Sequence, residues 1–150
     1  MVDVSQPSDR AEAAEAPPGL TALSEQDCRV LLASSRVGRV LVSLDAMPAA
    51  FPVNFVVHGG DVVFRTAPGT KMSAAVAHTV VGFEVDEIDH ARRSGWSVLA
   101  VGMSRVVDDE AEIAELDAIG LDSWWSLPFA RYVRIEIQRI SGRRIVAIVP

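Results

Sequence analysis

The sequence predicts a mainly β fold: an antiparallel barrel, closed or nearly closed, of six or seven strands with three short helices. Runs of β-branched and apolar residues recur along most of the chain. These runs follow one another directly, without the regular helical crossovers that a parallel sheet requires. Gly38, Gly82 and Gly102 fall inside strand patterns, where bends or bulges at barrel corners are common. An antiparallel barrel accounts for all three observations.

The N-terminal region is expected to divide into a tail and the start of the domain. Residues 1–20 are rich in Ala, Glu, Ser and Pro, so they are predicted to form a disordered tail. The folded domain is expected to span residues 21–150, with order beginning near residue 23. A first helix is predicted over Glu25–Ser34, because Ser24 offers an N-cap and apolar residues then recur at helical spacing.

The remaining elements are mostly strands. They are predicted over Val37–Leu44, residues 50–57, Asp61–Thr66 and residues 79–88, 96–107 and 132–140. Short helices are predicted at residues 70–78 and at Glu110–Ile119, the second capped by Asp108 or Asp109 and ended by Gly120. A loop carrying Trp124, Trp125 and Pro128 leads to the last of these strands. Ser141–Gly142 is predicted to be a turn, after which residues 144–149 pair back as one more strand.

Composition excludes several classes of partner. The net charge of −6 argues against general affinity for nucleic acid, since phosphate backbones are bound by clustered Lys and Arg. The single cysteine, Cys28, allows no internal disulfide, which suits a reducing compartment, and we expect it to be a buried apolar residue. No stretch reaches the ~20 apolar residues of a membrane span, and residues 1–10 lack the features of a signal peptide. We therefore expect a cytoplasmic protein without nucleic-acid or membrane partners.

The segment over residues 63–71 carries the clearest chemical signal. A strand is expected to deliver Arg65 and Thr66 to its end, a tight Pro–Gly turn follows, and Thr70 and Lys71 then open a helix. Two hydroxyls, a guanidinium and an ammonium would converge where the first helix amides lack partners, which is the donor set that a phosphate monoester needs. The alternative is an ordinary solvated turn with two cations. The spacing is not that of a Walker loop.

Two further segments carry groups that suit a planar ring. Pro52 within a strand pattern implies an edge or an interruption, since proline cannot donate to a ladder. Backbone groups near Val53 and the amide of Asn54 would then be free to bind the edge of a heterocycle. Trp96 and Ser97 lie at the start of another strand, where the indole could stack on a ring. The alternatives are a strand with a tolerated edge proline and a tryptophan that only packs.

Five motifs in this order and spacing resemble a known family. They are P-V-N-F at residues 52–55, F-R-T-A-P-G-T-K at 64–71, F-E-V-D-E-I-D at 83–89, G-W-S-V at 95–98 and I-S-G-R-R-I at 140–145. Together they resemble the pyridoxamine 5'-phosphate oxidase-like, FMN-binding split-barrel family, and within it a small actinobacterial-type flavin/deazaflavin branch. The resemblance covers about residues 23–148. It implies a six-stranded antiparallel split β-barrel with a few short peripheral helices, and a homodimer with two equivalent cofactor sites at the interface.

The resemblance also implies where the cofactor lies. The residues assigned to it are Arg65, Thr66, Thr70 and Lys71 at the phosphate, Pro52, Val53 and Asn54 along the ring, and Trp96 and Ser97 where the partner strand comes close. FMN is the expected cofactor, a deazaflavin is the alternative, and the family also contains haem-binding members. True pyridoxamine phosphate oxidases carry a C-terminal segment with substrate and flavin contacts. Since this chain ends at Pro150, directly after the last predicted strand, vitamin B6 synthesis is not expected.

The function remains open among three hypotheses. The first is a flavin-dependent oxidoreductase whose cofactor supplies hydride or electron transfer, with substrate and catalytic side chains unidentified. The second is a non-catalytic module that stores or senses a flavin, deazaflavin or haem, motivated by the absence of a nucleophile, acid or base motif. The third is a barrel that has lost its ligand and serves as an interaction scaffold. No metal site is predicted, because His58, His78 and His90 share no ligand spacing.

Overall fold

The computed structural model describes residues 17–124 and 128–147, which contain seven strands and three α-helices. The strands are β1 (Leu20–Ala22), β2 (Val37–Leu44), β3 (Met47–His58), β4 (Asp61–Thr66), β5 (His78–Asp89), β6 (Ser94–Val106) and β7 (Arg131–Ile145). The helices are α1 (Glu25–Ser34), α2 (Lys71–Ala75) and α3 (Glu110–Ile119). The mainly β class predicted from the sequence is confirmed.

Six of the described strands form one closed ring of antiparallel pairings. Its order is β7–β4–β3–β2–β5–β6, and β6 pairs again with β7 to close it. The ring is uneven, because β2 and β5 share only three residue pairs. β1 adds a short pairing at the far end of β7. This arrangement is the six-stranded antiparallel split barrel that the family resemblance implied.

The inside of the barrel is filled by alternating strand residues, as a side-chain period of two requires. Val81, Phe83 and Val85 of β5 are buried, and their alternation was visible in the sequence. Phe83 contacts Phe55 edge to face, with ring centroids 4.7 Å apart. A Cβ at Gly38 would lie 2.5 Å from the ring of Phe83. Gly38 is therefore required by this close approach.

Helices α1 and α3 begin and end where the sequence predicted. The Ser24 side chain accepts a hydrogen bond from the Asp27 amide at 3.1 Å and so caps α1. Asp109 caps α3, and Gly120 ends it in the left-handed conformation. Cys28 on α1 is fully buried, and burial raises the pKa of its thiol. Cys28 is therefore the buried apolar residue that the sequence predicted.

The predicted C-terminal turn is wrong. β7 runs without a break to Ile145, so Ser141–Gly142 lies inside the strand and pairs with β6, and residues 144 and 145 continue β7 instead of pairing back. A Cβ at Gly142 would lie 2.8 Å from the sulfur of Cys28. The glycine is present because α1 packs across the strand there. A glycine needed for close packing looks in the sequence like a glycine needed for a turn.

Other boundaries shift by a few residues. The sequence did not predict β1, and α2 is shorter than expected because His78 already begins β5. The disordered tail predicted over residues 1–20 ends too late, because Leu20 in β1 already pairs with Ile145. Disorder stays a prediction for residues 1–16, since they lie outside the described ranges, as do Trp125, residues 126–127 and residues 148–150. Over the described ranges, no helix combines the length and apolar character needed to cross a bilayer.

Candidate functional site

A cleft of about 310 Å³ lies between β3, the end of β4, α2 and the segment that follows α3. Six of the nine residues predicted to hold a cofactor line it: Pro52, Val53, Asn54, Arg65, Thr70 and Lys71. The other lining residues are Phe51, Ala67, Met72, Leu121, Asp122 and Ser123. The fold therefore brings the motif around Asn54 and the motif around Arg65 to one place.

Part of β3, which lines the cleft, has a neighbouring strand on only one of its two edges. Residues 47–54 pair with β2, whereas the pairing with β4 covers only residues 55–58. Pro52 lies in the part without a β4 partner, opposite Arg39 of β2. A residue without an amide hydrogen is tolerated at such an edge. Pro52 therefore marks a strand edge, as the sequence predicted, and this edge lines the cleft.

Arg65 brings a buried donor without a partner to the cleft. Its Nε–H is buried and makes no hydrogen bond to any described residue. The guanidinium carbon lies 5.6 Å from the centroid of the Tyr132 ring. A buried polar group left without a hydrogen bond costs about 1–3 kcal/mol. Arg65 lines the cleft and forms no ion pair with a described carboxylate, so its guanidinium charge fits an anionic ligand there, such as a phosphate group.

The other three residues predicted at the phosphate meet the cleft differently. Lys71 is exposed and lines it. Thr70 lines it too, but its hydroxyl donates to the Ala67 carbonyl at 2.9 Å and accepts the Ser73 amide at 3.1 Å, so it caps α2. Thr66 is buried and does not line the cleft. The positive charge among the lining residues comes from Arg65 and Lys71.

Trp96 and Ser97 line a second cavity of about 270 Å³. No residue lines both this cavity and the cleft. Its lining also includes Ile88 and Ile145, which are 62% and 52% exposed. Within a single chain, the structure therefore does not bring Trp96 and Ser97 together with the other predicted cofactor residues.

The wall formed by residues 121–123 was missed by sequence reasoning, which assigned them to a loop. Leu121 packs against a cluster that includes Leu116 and Tyr132 and also lines the cleft. The sequence signal that could have found it is Gly120, because an apolar residue near a helix-ending glycine commonly packs back on the helix. The position of α3 thus determines where this wall stands.

A network of charged side chains holds α3 against the barrel. Glu112 of α3 accepts hydrogen bonds from Arg134 at 2.7 Å and from Arg105 at 3.0 and 3.1 Å. Arg134 is only 6% exposed, and it also donates to the His58 carbonyl at 2.8 Å and contacts Asp61 at 3.4 Å. Hydrogen bonding from Arg105 lowers the pKa of the Glu112 carboxyl. These links fix α3, and with it the wall of the cleft.

Two acidic residues of β5 have an arginine partner on the barrel surface. Glu84 and Asp86 contact Arg39 at 2.8 and 3.5 Å. Across the described ranges, no group of three or more His, Cys, Asp or Glu side chains is placed to hold a metal ion.

The chain is similar to known proteins over most of its length. The pyridoxamine 5'-phosphate oxidase family model matches residues 24–144. The uncharacterized protein Rv0080 of Mycobacterium tuberculosis is 38% identical over 130 residues, covering 83% of this chain and 85% of the relative.

Two solved structures share the fold. The FAD binding protein from Mycobacterium smegmatis has a TM-score of 0.73 at 40% identity, covering 83% of this chain and 99% of that chain. A FAD-binding protein from Mesorhizobium loti has a TM-score of 0.68 at 25% identity, covering 83% and 97%. By its sequence match, its relatives and its split-barrel fold, the chain belongs to the pyridoxamine 5'-phosphate oxidase family.

Proposed function

We propose that this protein is a flavoprotein that binds FMN in the cleft, with the flavin phosphate held by Arg65 and Lys71. The observation that carries the proposal is the Arg65 guanidinium, which belongs to a residue lining the cleft and forms no ion pair with a described carboxylate, while its buried Nε–H has no hydrogen-bond partner among the described residues. A phosphate dianion would supply the acceptor and balance both cations. Hydrogen bonds to charged groups contribute about 1.5–3 kcal/mol each.

The flavin ring would lie along the open edge of β3. Phe51 and Val53 offer apolar surface there, and the Asn54 amide offers both a donor and an acceptor to the polar edge of the ring. A bound flavin supplies hydride or electron transfer, whereas the protein supplies position and electrostatics. The mixed lining of the cleft suits a ligand with an apolar ring and a charged tail.

Two of the relatives of known structure are named for FAD binding, which supports a flavin as the class of ligand. FMN and FAD share the ribityl phosphate, so Arg65 and Lys71 would hold that part of either molecule. A deazaflavin remains the alternative ring. Mass spectrometry of the ligand released from denatured protein distinguishes these cofactors by mass.

We also infer that two copies complete the site. Trp96 and Ser97 line a cavity separate from the cleft, bordered by the exposed side chains of Ile88 and Ile145. Apolar surface of this kind is typical of a contact with another subunit. In a homodimer, the Trp96 cavity of one copy would cover the flavin held in the cleft of the other. Stable interfaces bury more than ~1,200 Å².

The proposed activity is that of an oxidoreductase acting through the bound flavin. A second candidate is a non-catalytic module that stores or carries the flavin. One observation favours this non-catalytic role. Among the described residues that line the cleft, Asp122 is the single acidic side chain and no His, Cys or Tyr is present to act as an acid, base or nucleophile. Steady turnover of a reduced nicotinamide with an artificial acceptor would exclude the storage role.

Protection from chemical modification can test the proposed site directly, because Lys71 is the only lysine in the sequence. Acetylation of amines, read by mass spectrometry, therefore reports on Lys71 and the N-terminal amine alone. FMN should slow acetylation of Lys71 and leave the N-terminal amine unchanged, and riboflavin should protect much less.

Purified protein should be yellow or take up FMN on titration. Colourless protein that takes up no FMN would contradict the proposal.

A further inference from the structure

We propose that Tyr132 is a positioning residue for the anion site, its ring holding the Arg65 guanidinium at the cleft. The inference rests on the proposed function, because it assumes that Arg65 binds the flavin phosphate. It adds a residue that does not line the cleft and that no motif of the sequence indicated. It also explains how a half-buried arginine can stay in place while remaining available to a ligand.

Arg65 and Tyr132 are direct cross-strand partners. Arg65 on β4 pairs with Tyr132 on β7, so their side chains leave the sheet on the same face. The guanidinium carbon lies 5.6 Å from the ring centroid, within the ~6 Å over which a cation is attracted to an aromatic face. The strand register therefore sets this contact, and a shift of one residue would remove it.

The Tyr132 ring is itself held firmly. The residue is 9% exposed and packs with Val63, Val107 and Leu116. Its hydroxyl donates a hydrogen bond to the Asp117 carboxylate of α3 at 2.7 Å. Burial raises the pKa of Tyr132, so the hydroxyl remains a donor at neutral pH. The ring is therefore fixed both by its packing and by its hydroxyl.

An aromatic ring suits this task better than a carboxylate would. No carboxylate among the described residues forms an ion pair with Arg65. An ion pair would orient the guanidinium but neutralise its charge and occupy its N–H donors. The face of a ring attracts the cation and leaves those donors available. Arg65 can then be ordered before a phosphate arrives, which reduces the entropy lost on binding.

Tyr132 also connects two sides of the cleft. The ring lies beneath Arg65 on one side, and its hydroxyl holds α3, whose C-terminal end leads to the Leu121 wall on the other. A single residue thus supports both the charged and the apolar side of the proposed flavin site.

The test compares the affinities of full-length variants for FMN and riboflavin, which differ only in the phosphate. We expect wild-type protein to bind FMN at least about tenfold more tightly, as one charge-assisted hydrogen bond would give. Tyr132→Leu should reduce this ratio by about fivefold or more, because the cation loses its aromatic support. Tyr132→Phe keeps the ring and should retain the ratio within about twofold, even if loss of the hydroxyl lowers stability.

The outcomes separate the inference from the function on which it rests. A purely structural role for Tyr132 would weaken both ligands equally and leave the ratio unchanged. A wild-type preference for FMN that persists in Tyr132→Leu would overturn the role of Tyr132 alone. Equal affinity of the wild-type protein for FMN and riboflavin would instead overturn the phosphate assignment, and the positioning role with it.

A measurement on unmutated protein covers the case in which Tyr132→Leu does not fold. Tyr132 is the only tyrosine, so ring-¹³C-labelled tyrosine gives the NMR signals of a single ring. Saturation with FMN should shift these signals, because the charge on the neighbouring guanidinium becomes paired. Saturation with riboflavin should shift them less. Equal shifts with both ligands, or none with FMN, would contradict the proposed contact.

Discussion

Replacing Glu112 with glutamine should destabilise the protein more than the same replacement at the exposed Glu115 of α3. The carboxylate accepts three hydrogen bonds from two arginines, and one of these, Arg134, is 6% exposed. Removing one partner of a buried ion pair costs about 3–5 kcal/mol. Glutamine keeps one acceptor oxygen, and Arg105 keeps its contact with Glu136 at 2.9 Å. We therefore expect a loss of about 2–3 kcal/mol for Glu112→Gln.

The assay is urea unfolding at fixed protein concentration, followed by circular dichroism. Glu115→Gln on the same helix is the matched control, because its carboxylate is 66% exposed and lies 3.6 Å from His58. The control should change the free energy of unfolding by less than about 0.5 kcal/mol. For a chain of this length, the Glu112 variant should also melt roughly 5–10 °C lower. A loss below about 1 kcal/mol would refute the view that this network holds α3.

Three further predictions concern the Glu112 carboxylate, the Lys71 ammonium and the oligomeric state. The pKa of Glu112 is lowered in the folded state, so the stabilisation from its carboxylate is present above the unfolded value of ~4.3 and is lost as pH falls through the folded pKa. The difference in unfolding free energy between wild type and Glu112→Gln should therefore narrow below about pH 4. A difference that stays constant between pH 7 and pH 3 would contradict this. Lys71→Ala should weaken FMN binding by about tenfold or more in a titration, whereas Lys71→Arg should retain most of the affinity. Equal affinity of the wild type and both variants would show that Lys71 is not part of the site. Light scattering should give twice the mass of the 16.1 kDa chain, and a monomer would contradict the shared site.

Local patterns predicted most of the fold. The bounds of α1, α3, β2 and β4 follow from caps, from glycine and from runs of β-branched residues, all of which act over a few positions. The antiparallel class also followed from the absence of helical crossovers. The pairings of β2 with β5 and of β4 with β7, which close the ring, did not, because these strands are not neighbours in the sequence. What local patterns could not give was the continuity of β7 through Gly142. That glycine is set by Cys28, which lies more than a hundred residues away in the chain.

Only part of the candidate site could be predicted, because local patterns do not reveal contacts between distant segments of the chain. The motifs around Asn54 and Arg65 lie on adjacent strands, so their meeting at one cleft could be anticipated from sequence. The contact of the Arg65 guanidinium with the Tyr132 ring could not be anticipated, since it depends on the register between β4 and β7. The charged network around Arg134 and Glu112 joins four strands and a helix, and no single segment reveals it.

Thr70 shows that a correctly predicted position does not by itself define the role of a side chain. Its place at the start of α2 was predicted, and it does line the cleft. In this structure its hydroxyl donates to the Ala67 carbonyl at 2.9 Å and accepts the Ser73 amide, so it caps α2, and its predicted contact with a phosphate stays a prediction. A threonine that caps a helix and one that binds an anion occupy the same position in a sequence, and only the hydrogen-bond partners separate them.

The most direct test is a crystal structure of the full-length protein grown with FMN. We expect phosphate oxygens within hydrogen-bond distance of the Arg65 guanidinium and the Lys71 ammonium, with the ring along the open edge of β3. A flavin phosphate bound elsewhere, with the Arg65 Nε–H still lacking an acceptor, would contradict it.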